Sequence, residues 1–539
     1  MFKPKWQAAV AVAGVTALAL SGCSSSTTES SSKGGSLTVG TTDKIVSLDP
    51  AGSYDNGSLF VMSQVYPFLM NSKPGSATPE PDIATSAKFT NPTTFTVKLK
   101  KGLKFANGDK LTSSDVKFSF DRQVSIADPN GPSSLLGNLK STEAPNPTTV
   151  KFHLKTKNDQ TWPGVLTSAA GPIVDEQVLS KTKVTSDDKI VAKKAFAGPY
   201  QIASYKKNNL VSYKKFDGYK GILGTPKTAT VNMKYYSDPT NMKLDVDKGS
   251  IDVAYRTLGP TDIESLSKKK NLKIHKGPGG ELRYIVFDYN TMPFGAKSDN
   301  PDPKKALAVR KAMADSVDRA KIAKQVYKGT YSPVYSAVPS GFLGSAEPMK
   351  SMYGDGNGGP DAAKAKKTLK DAGIKTPVKL HIQYNSDHYG ASSSDEYAMV
   401  KSQLESTGLF KVNLQSTEWD TYQKDRVKDV YPMYQLGWYP DFSDADNYLT
   451  PFFLNDKPGQ AFLQNHYRST KMNKLIHAES SEPNKAKRKK DIVAAQKLVA
   501  EQLPILPLLQ GAQVAVANKD VTGVTLDASF KFRLGTMKK

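Results

Sequence analysis

Apolar residues alternate with polar ones at several points along the chain, and this period of two marks half-buried strands. Phe95, Val97 and Leu99 alternate with Thr94, Thr96 and Lys98. Val150, Phe152 and Leu154 do the same, as do Val378, Leu380 and Ile382, and Val412 with Leu414. Ser36 to Gly40 reads as a first strand, and the run Met433, Tyr434, Leu436 as the end of another. Elsewhere the spacing is helical. Leu59, Met62, Val65, Tyr66 and Leu69 predict a helix over Leu59 to Met70. Thr112, with Asp115 three residues on, is a capping-box-like start for a helix carrying Val116, Phe120 and Arg122. Asp361 caps a helix through Ala362, Ala365 and Leu369 that Gly373 closes, and another runs from about Ser394 through Ala398, Val400 and Leu404 to Gly408. Lys101-Gly102 and Asn107-Gly108 are turns. Strand and helix alternate without an internal repeat, so the expected class is a layered α/β fold.

The 539 residues, 38% of them hydrophobic, suffice for two or three domains with a substantial core. Lys3 and Lys5 followed by the apolar stretch Ala8 to Leu20 have the layout of a signal peptide, too short to remain as a spanning helix. Leu20-Ser21-Gly22-Cys23 closes it, and Cys23 is the only cysteine. That tetrapeptide resembles the lipobox of bacterial lipoproteins, which implies lipidation at Cys23, with Ser24 to Gly35 as a flexible tether to the outer face of the membrane. The formal charge of +23 is spread along the chain without a nucleic-acid motif. A solvated lysine-rich surface is the favoured reading, attraction to an anionic envelope the other. The basic run Lys485 to Lys490 opens a helix with Ile492, Ala495 and Val499 on its buried side, and so reads as a solvent face.

The densest chemistry lies in Gly437 to Leu449, which holds four aromatic rings and the carboxylates Asp441, Asp444 and Asp446. Rings beside acids suit a small ligand with apolar faces and a cationic end, because a carboxylate in a partly dry pocket attracts an ammonium more strongly than in water. The alternative is a surface loop whose acids cap turns. The six histidines have no metal-helix spacing, so neither a metal nor another cofactor is expected. No phosphate-binding glycine loop and no nucleophile elbow occur, so neither nucleotide hydrolysis nor serine catalysis is expected of this chain, and it reads as a non-enzyme.

The run from Lys101 to Arg122, Lys-Gly-Leu-Lys-Phe-Ala-Asn-Gly-Asp-Lys-Leu-Thr-Ser-Ser-Asp-Val-Lys-Phe-Ser-Phe-Asp-Arg, closely resembles the signature of the family 5 extracellular solute-binding proteins, the peptide-binding components of ABC importers. Phe196 to Tyr200, Lys248 to Val253, Met292 to Phe294, Val309 to Ala312, Asp318-Arg319, Gly437-Trp438 and Leu503 to Pro507 follow in matching order. The resemblance implies a two-lobed periplasmic-binding-protein-like (type II) clamp with an extra N-terminal subdomain. Lobe I is expected from residues 36–80, 200–299 and 511–539, the extra subdomain over 81–199 and lobe II over 300–510. The hinge is expected near Tyr289 to Phe294 and Leu509 to Gln513. Carried over from peptide-binding relatives, Asp441 pairs with a peptide ammonium and Tyr54, Asp55 and Asn56 meet its main chain. Trp438 is either an aromatic wall or core, and Tyr439 stands beside it. For the peptide carboxylate the nearest matches are His388, which as a lone histidine also reads as a surface residue, and Arg283, which also reads as a hinge brace. The implied partners are a short peptide or other small solute and ABC permease subunits with their ATPases, for a monomer captured at the cell surface by its lipid. Oligosaccharide or another small solute is the alternative ligand, and a surface chaperone or adhesin the alternative of another class.

Overall fold

The computed structural model describes residues 35 to 539 except Thr257 and Pro458. The leader expected over residues 1 to 22, Cys23, and all but the last residue of the tether expected over 23 to 35 lie outside the described residues. Among the described residues no helix is long and apolar enough to cross a membrane.

A mixed sheet of eleven strands is built around two long antiparallel strands, Leu272–Phe287 and Ile505–Asn518. Outward from Ile505–Asn518 come Val253–Tyr255, Ser36–Thr41, Thr230–Tyr235, Leu210–Lys215 and Tyr200–Lys206. Outward from Leu272–Phe287 come Met433–Trp438, Val378–Asn385 and Phe410–Thr417, and the short strand Tyr331–Pro333, the eleventh, pairs with Ile505–Asn518 off this path. The two sides bury separate apolar clusters. One gathers Leu37, Val39, Val61, Tyr200, Val231 and Ala515. The other gathers Leu282 to Phe287 without Arg283, together with Val309, Met313, Ile382, Val400, Met433 and Leu506. The long strands feed both, which is why their sequence changes character along their length. After the buried Leu272, Lys273 to Pro278 mixes exposed and half-exposed positions, whereas Gly279 to Phe287 is buried throughout, as a strand covered on both faces must be.

The change of character coincides with a break in the ladder. Register shifts between Gly277 and Glu281, opposite Gly511 to Gln513. Here the sequence is Gly-Pro-Gly-Gly, and the backbones approach too closely for a side chain: a Cβ on Gly279 would lie 1.5 Å from the Gly511 carbonyl oxygen. Tyr289 to Phe294, by contrast, packs within the second cluster, with Met292 fully buried. Gly279→Ala is therefore expected to force the two strands apart and lower stability by about 1–3 kcal/mol, an overpacking cost measurable as a fall in the urea midpoint.

A four-stranded antiparallel sheet, Ala84–Asn91, Thr94–Leu99, Thr149–Leu154 and Leu139–Asn146, carries its own cluster with the helix Ser113–Ile126. Phe95, Val97, Phe120, Phe152 and Trp162 are its centre. The capping box forms as the sequence predicts: Thr112 N–H donates to Asp115 Oδ2 at 2.8 Å and Ser114 N–H to Thr112 Oγ1 at 3.2 Å. On the same helix Arg122 grips Asp49 bidentately at 2.6 and 2.8 Å, with both side chains sealed from solvent. Arg122 also donates to the carbonyls of Ser180 and Lys183, and Asp49 accepts from the backbone of Ala51 and Thr185.

The helix expected over Leu59 to Met70 is instead Asn56–Val65. Asp55 caps its start, accepting from Ser58 N–H at 2.8 Å. Tyr66 is extended because Pro67 follows it, and a proline disfavours helical backbone in the residue before it.

Candidate functional site

Between the two clusters, at the break in the ladder, lies a cleft of about 560 Å³, a volume suited to a small-molecule ligand. The helix Asn56–Val65 presents Asn56, Phe60 and Ser63 to it, and the crossing strands present Gly279, Glu281, Arg283 and Gly511. Tyr331, His388 and Tyr439 also line it. Its floor is aromatic. Tyr255 and Phe532 stack face to face at 4.0 Å, and Phe60 lies 6.1 Å from Tyr255. Sequence reasoning missed Tyr255, Phe530 and Phe532, which come from distant segments. The Gly-Pro-Gly-Gly break at Gly277 to Gly280 was the local signal that a crossing, and hence a cleft, lay nearby.

Charges in the cleft are balanced. Asp43, Asp262 and Glu281 line it together with Arg256, Arg283 and Lys531. Most are already engaged: Arg256 Nε lies 3.1 Å from Asp43, and Asp262 accepts from Lys243 at 2.7 Å. The Arg256 guanidinium also lies over the Tyr439 ring at 5.5 Å. Arg283 is deeper. It pairs with Glu281 at 3.0 Å and Glu396 at 3.3 Å, donates to Tyr389 carbonyl and sits among the rings of Tyr327, Tyr331 and Tyr389. The other Glu281 oxygen accepts from Tyr331 O–H at 2.6 Å. Of the two roles the sequence left open for Arg283, this geometry matches the brace at the crossing strands.

Asp441 does not line the cleft but lies behind Tyr439 and Pro440, which do. Its Oδ1 accepts from Tyr54 O–H, a contact joining segments that belong to opposite sides of the cleft. Its Oδ2 accepts from Asn447 Nδ2 at 3.1 Å, and Asn447 Oδ1 in turn accepts from the Asp441 N–H at 2.9 Å and Trp438 Nε1 at 3.0 Å. Burial pushes the Asp441 carboxyl above the ordinary aspartate value, against the opposing pull of the Tyr54 and Asn447 hydrogen bonds. The loop that carries it is clasped on both sides. Phe442 inserts into the cluster of the four-stranded sheet, and Asp444 forms an ion pair with Arg488 at 2.7 Å.

The structure thus brings Asn56, Arg283, His388 and Tyr439 to the cleft and sets Tyr54 against Asp441 at its margin. Asp55 serves as the helix cap, and the half-buried Trp438 packs edge-on to Phe452 at 5.2 Å and does not line the cleft. His388 is exposed on one face and stacked on Trp419 on the other, 3.8 Å apart and 4° from parallel.

Comparison with known proteins gives one consistent outcome. The family model described as bacterial extracellular solute-binding proteins, family 5 Middle, matches residues 78–460. The glutathione-binding protein GsiB of Escherichia coli (strain K12) is 25% identical over 452 residues, covering 81% of this chain and 82% of the relative. The unliganded open form of the periplasmic murein tripeptide binding protein MppA superposes with a TM-score of 0.78 at 19% identity, over 94% of this chain and 98% of that one. A dipeptide binding protein from Pseudoalteromonas sp. SM9913, in complex with Met-Leu, gives 0.71 at 20% identity, over 94% and 100%.

Proposed function

The chain belongs to the bacterial extracellular solute-binding proteins, family 5, with their two-lobed type II fold, and we propose that it captures short peptides for an ABC importer. The observation that carries this reading is the cleft itself: a roomy volume lined by aromatic rings and by charged side chains of both signs, a setting that suits a ligand with apolar faces and charged ends. Glutathione, tripeptide and dipeptide binding among the relatives supports the same ligand class. A sugar needs rings but no ionic partners, so the charged lining favours a peptide over an oligosaccharide.

In this reading lobe I holds residues 36–80, 200 to about 278 and 511–539, with 81–199 as its extra subdomain, and the hinge is the glycine-rich break at Gly277 to Glu281 facing Gly511 to Gln513. Asp441 receives the peptide ammonium. Opening of the lobes releases Tyr54 from the Asp441 carboxylate, and the incoming ammonium replaces that hydroxyl. Asn56 meets the peptide main chain, Tyr439 and His388 form aromatic sides, and Arg256 is the cation for the carboxylate end, with Arg283 bracing the strands behind it. Ligand that touches both lobes stabilises the closed form by its differential contacts, and that form docks on the permease. Lipid on Cys23 holds the protein at the outer membrane face.

Thermal unfolding of the protein against a panel of di- to octapeptides, with N-acetylated peptides, cello-oligosaccharides and nickel as controls, tests this. Peptides with a free amine are expected to stabilise by about 2.7 kcal/mol at a hundred times their dissociation constant. A shift with sugars alone would move the assignment to oligosaccharide. Affinity confined to unfolded chains would move it to a surface chaperone.

A further inference from the structure

We propose that Asp288, Asp429 and His466 form a binding site for one divalent transition-metal ion of the zinc class, outside the cleft and within the second lobe. The three residues come from separate segments: the end of the long strand Leu272–Phe287, the loop before Met433–Trp438 and the loop before the helix Thr470–Ser481. Their ligand atoms lie within 4.8 Å of one another, and none of the three lines the cleft.

Each carboxylate has one oxygen fully employed and the other directed at the same point. Asp288 Oδ1 accepts from the N–H groups of Asn290 at 2.8 Å and Thr291 at 2.9 Å, and from Thr291 O–H at 3.2 Å. Asp288 Oδ2 is buried with no hydrogen-bond partner, on a residue with no solvent exposure, and faces His466 Nε2 at 4.0 Å. Leaving such an oxygen unpaired costs free energy, so its orientation asks for a cationic partner. Asp429 Oδ2 accepts from Lys297 at 2.7 Å and Asn290 at 3.0 Å, which turns Oδ1 toward His466 Nε2, 2.5 Å away. This is how outer partners aim metal ligands.

Backbone hydrogen bonds fix the frame: Tyr289 N–H to Asn465 carbonyl at 3.0 Å and Asp288 N–H to Pro432 carbonyl at 3.0 Å. Donors around a tetrahedral zinc stand roughly 3.3 Å apart, given bonds of about 2.1 Å. A shift of His466 by about 1 Å, away from Asp429 and toward Asp288, reaches that spacing. One imidazole and two carboxylate oxygens select zinc, cobalt or manganese over calcium or magnesium, which prefer all-oxygen sites with more ligands. His466 is half exposed, so water completes the coordination. Lys297 is mostly exposed and its ammonium holds the far oxygen, so it need not leave for the ion to enter.

The test is calorimetric titration of chelator-treated protein with Zn²⁺ and Co²⁺, with Ca²⁺ and Mg²⁺ as controls. One ion per chain is expected, together with visible absorption by bound Co²⁺ and a higher melting temperature. His466→Ala should weaken Zn²⁺ binding roughly a hundredfold or more, and Asp429→Asn at least tenfold. His477→Ala should leave it unchanged, although His477 makes a similar surface pair with Asp456 at 2.7 Å. Absence of stoichiometric Zn²⁺ and Co²⁺ binding overturns the proposal, as does binding that survives His466→Ala and Asp429→Asn, or saturation by Ca²⁺ in preference to Zn²⁺.

Discussion

Replacing Asp49 by alanine is expected to destabilise the protein by about 3–5 kcal/mol, because it leaves the Arg122 guanidinium buried without its counter-charge. The pair is dry, bidentate and supplied with further partners on both sides, so neither charge can relax into water once the other is gone. It also joins two parts of the fold: Asp49 belongs to the turn after the first strand, Arg122 to the helix that covers the four-stranded sheet. Urea denaturation followed by circular dichroism reads the change as a lower midpoint. Asp49→Leu combined with Arg122→Met should be more stable than either single variant, since it removes both charges and keeps apolar volume. A midpoint for Asp49→Ala within the range of surface substitutions, or a double variant no better than the singles, would show that solvent reaches the pair.

Asp441→Ala is expected to lower peptide affinity by about 3–5 kcal/mol, roughly two to three and a half powers of ten in Kd, if the ammonium is bound dry. Asp441→Asn separates charge from shape. Its single amide oxygen can still accept from Tyr54 while its NH2 then faces the Asn447 NH2, so the shape and the Tyr54 contact are kept, the Asn447 contact is lost and the negative charge is gone. Loss in both variants that is confined to peptides with a free amine assigns the effect to charge; retention in Asp441→Asn assigns it to loop geometry. Acid provides an independent check. Burial raises the Asp441 carboxyl above its ordinary value, and the ammonium needs the ionised form. Affinity should therefore fall as pH drops through a point above about 3.9, the unperturbed aspartate value. N-acetylated peptides should show no such fall. Isothermal titration across pH 4 to 8 distinguishes the cases.

Where one face of a strand is wet, the sequence displays it. Thr149–Leu154 and Val378–Asn385 were legible by alternation, Thr94–Leu99 alternates in residue type although Thr94 and Thr96 are buried too, and Thr112 and Asp361 announced their helices by capping. The long strands were not legible in this way. Leu282 to Phe287 is buried at every position, so nothing alternates, and only the glycines before it mark a special backbone. The end of the first helix was overrun because apolar spacing continues through Leu69 past the proline that stops it. At the site, Asp441 stood out by composition, but its partner Tyr54 lies 387 positions away, and only the folded chain sets the two together. The same holds for Asp288, Asp429 and His466. Their spacing in sequence follows no motif, because a cluster drawn from three loops has no period.

If the paired crossing at Gly277 to Glu281 and Gly511 to Gln513 is the hinge proposed above, it also sets the kinematics of the clamp. Two adjacent strands behave like a strip with two screws: bending across the strip needs only a few backbone rotations at the glycines, whereas sliding one half past the other would shear the ladder on both sides of the break. On that hinge the lobes are expected to share a single rotational degree of freedom. A pair of fluorescent labels at the rim should report one distance coordinate with two populated values, and a second label pair should move in strict proportion to the first.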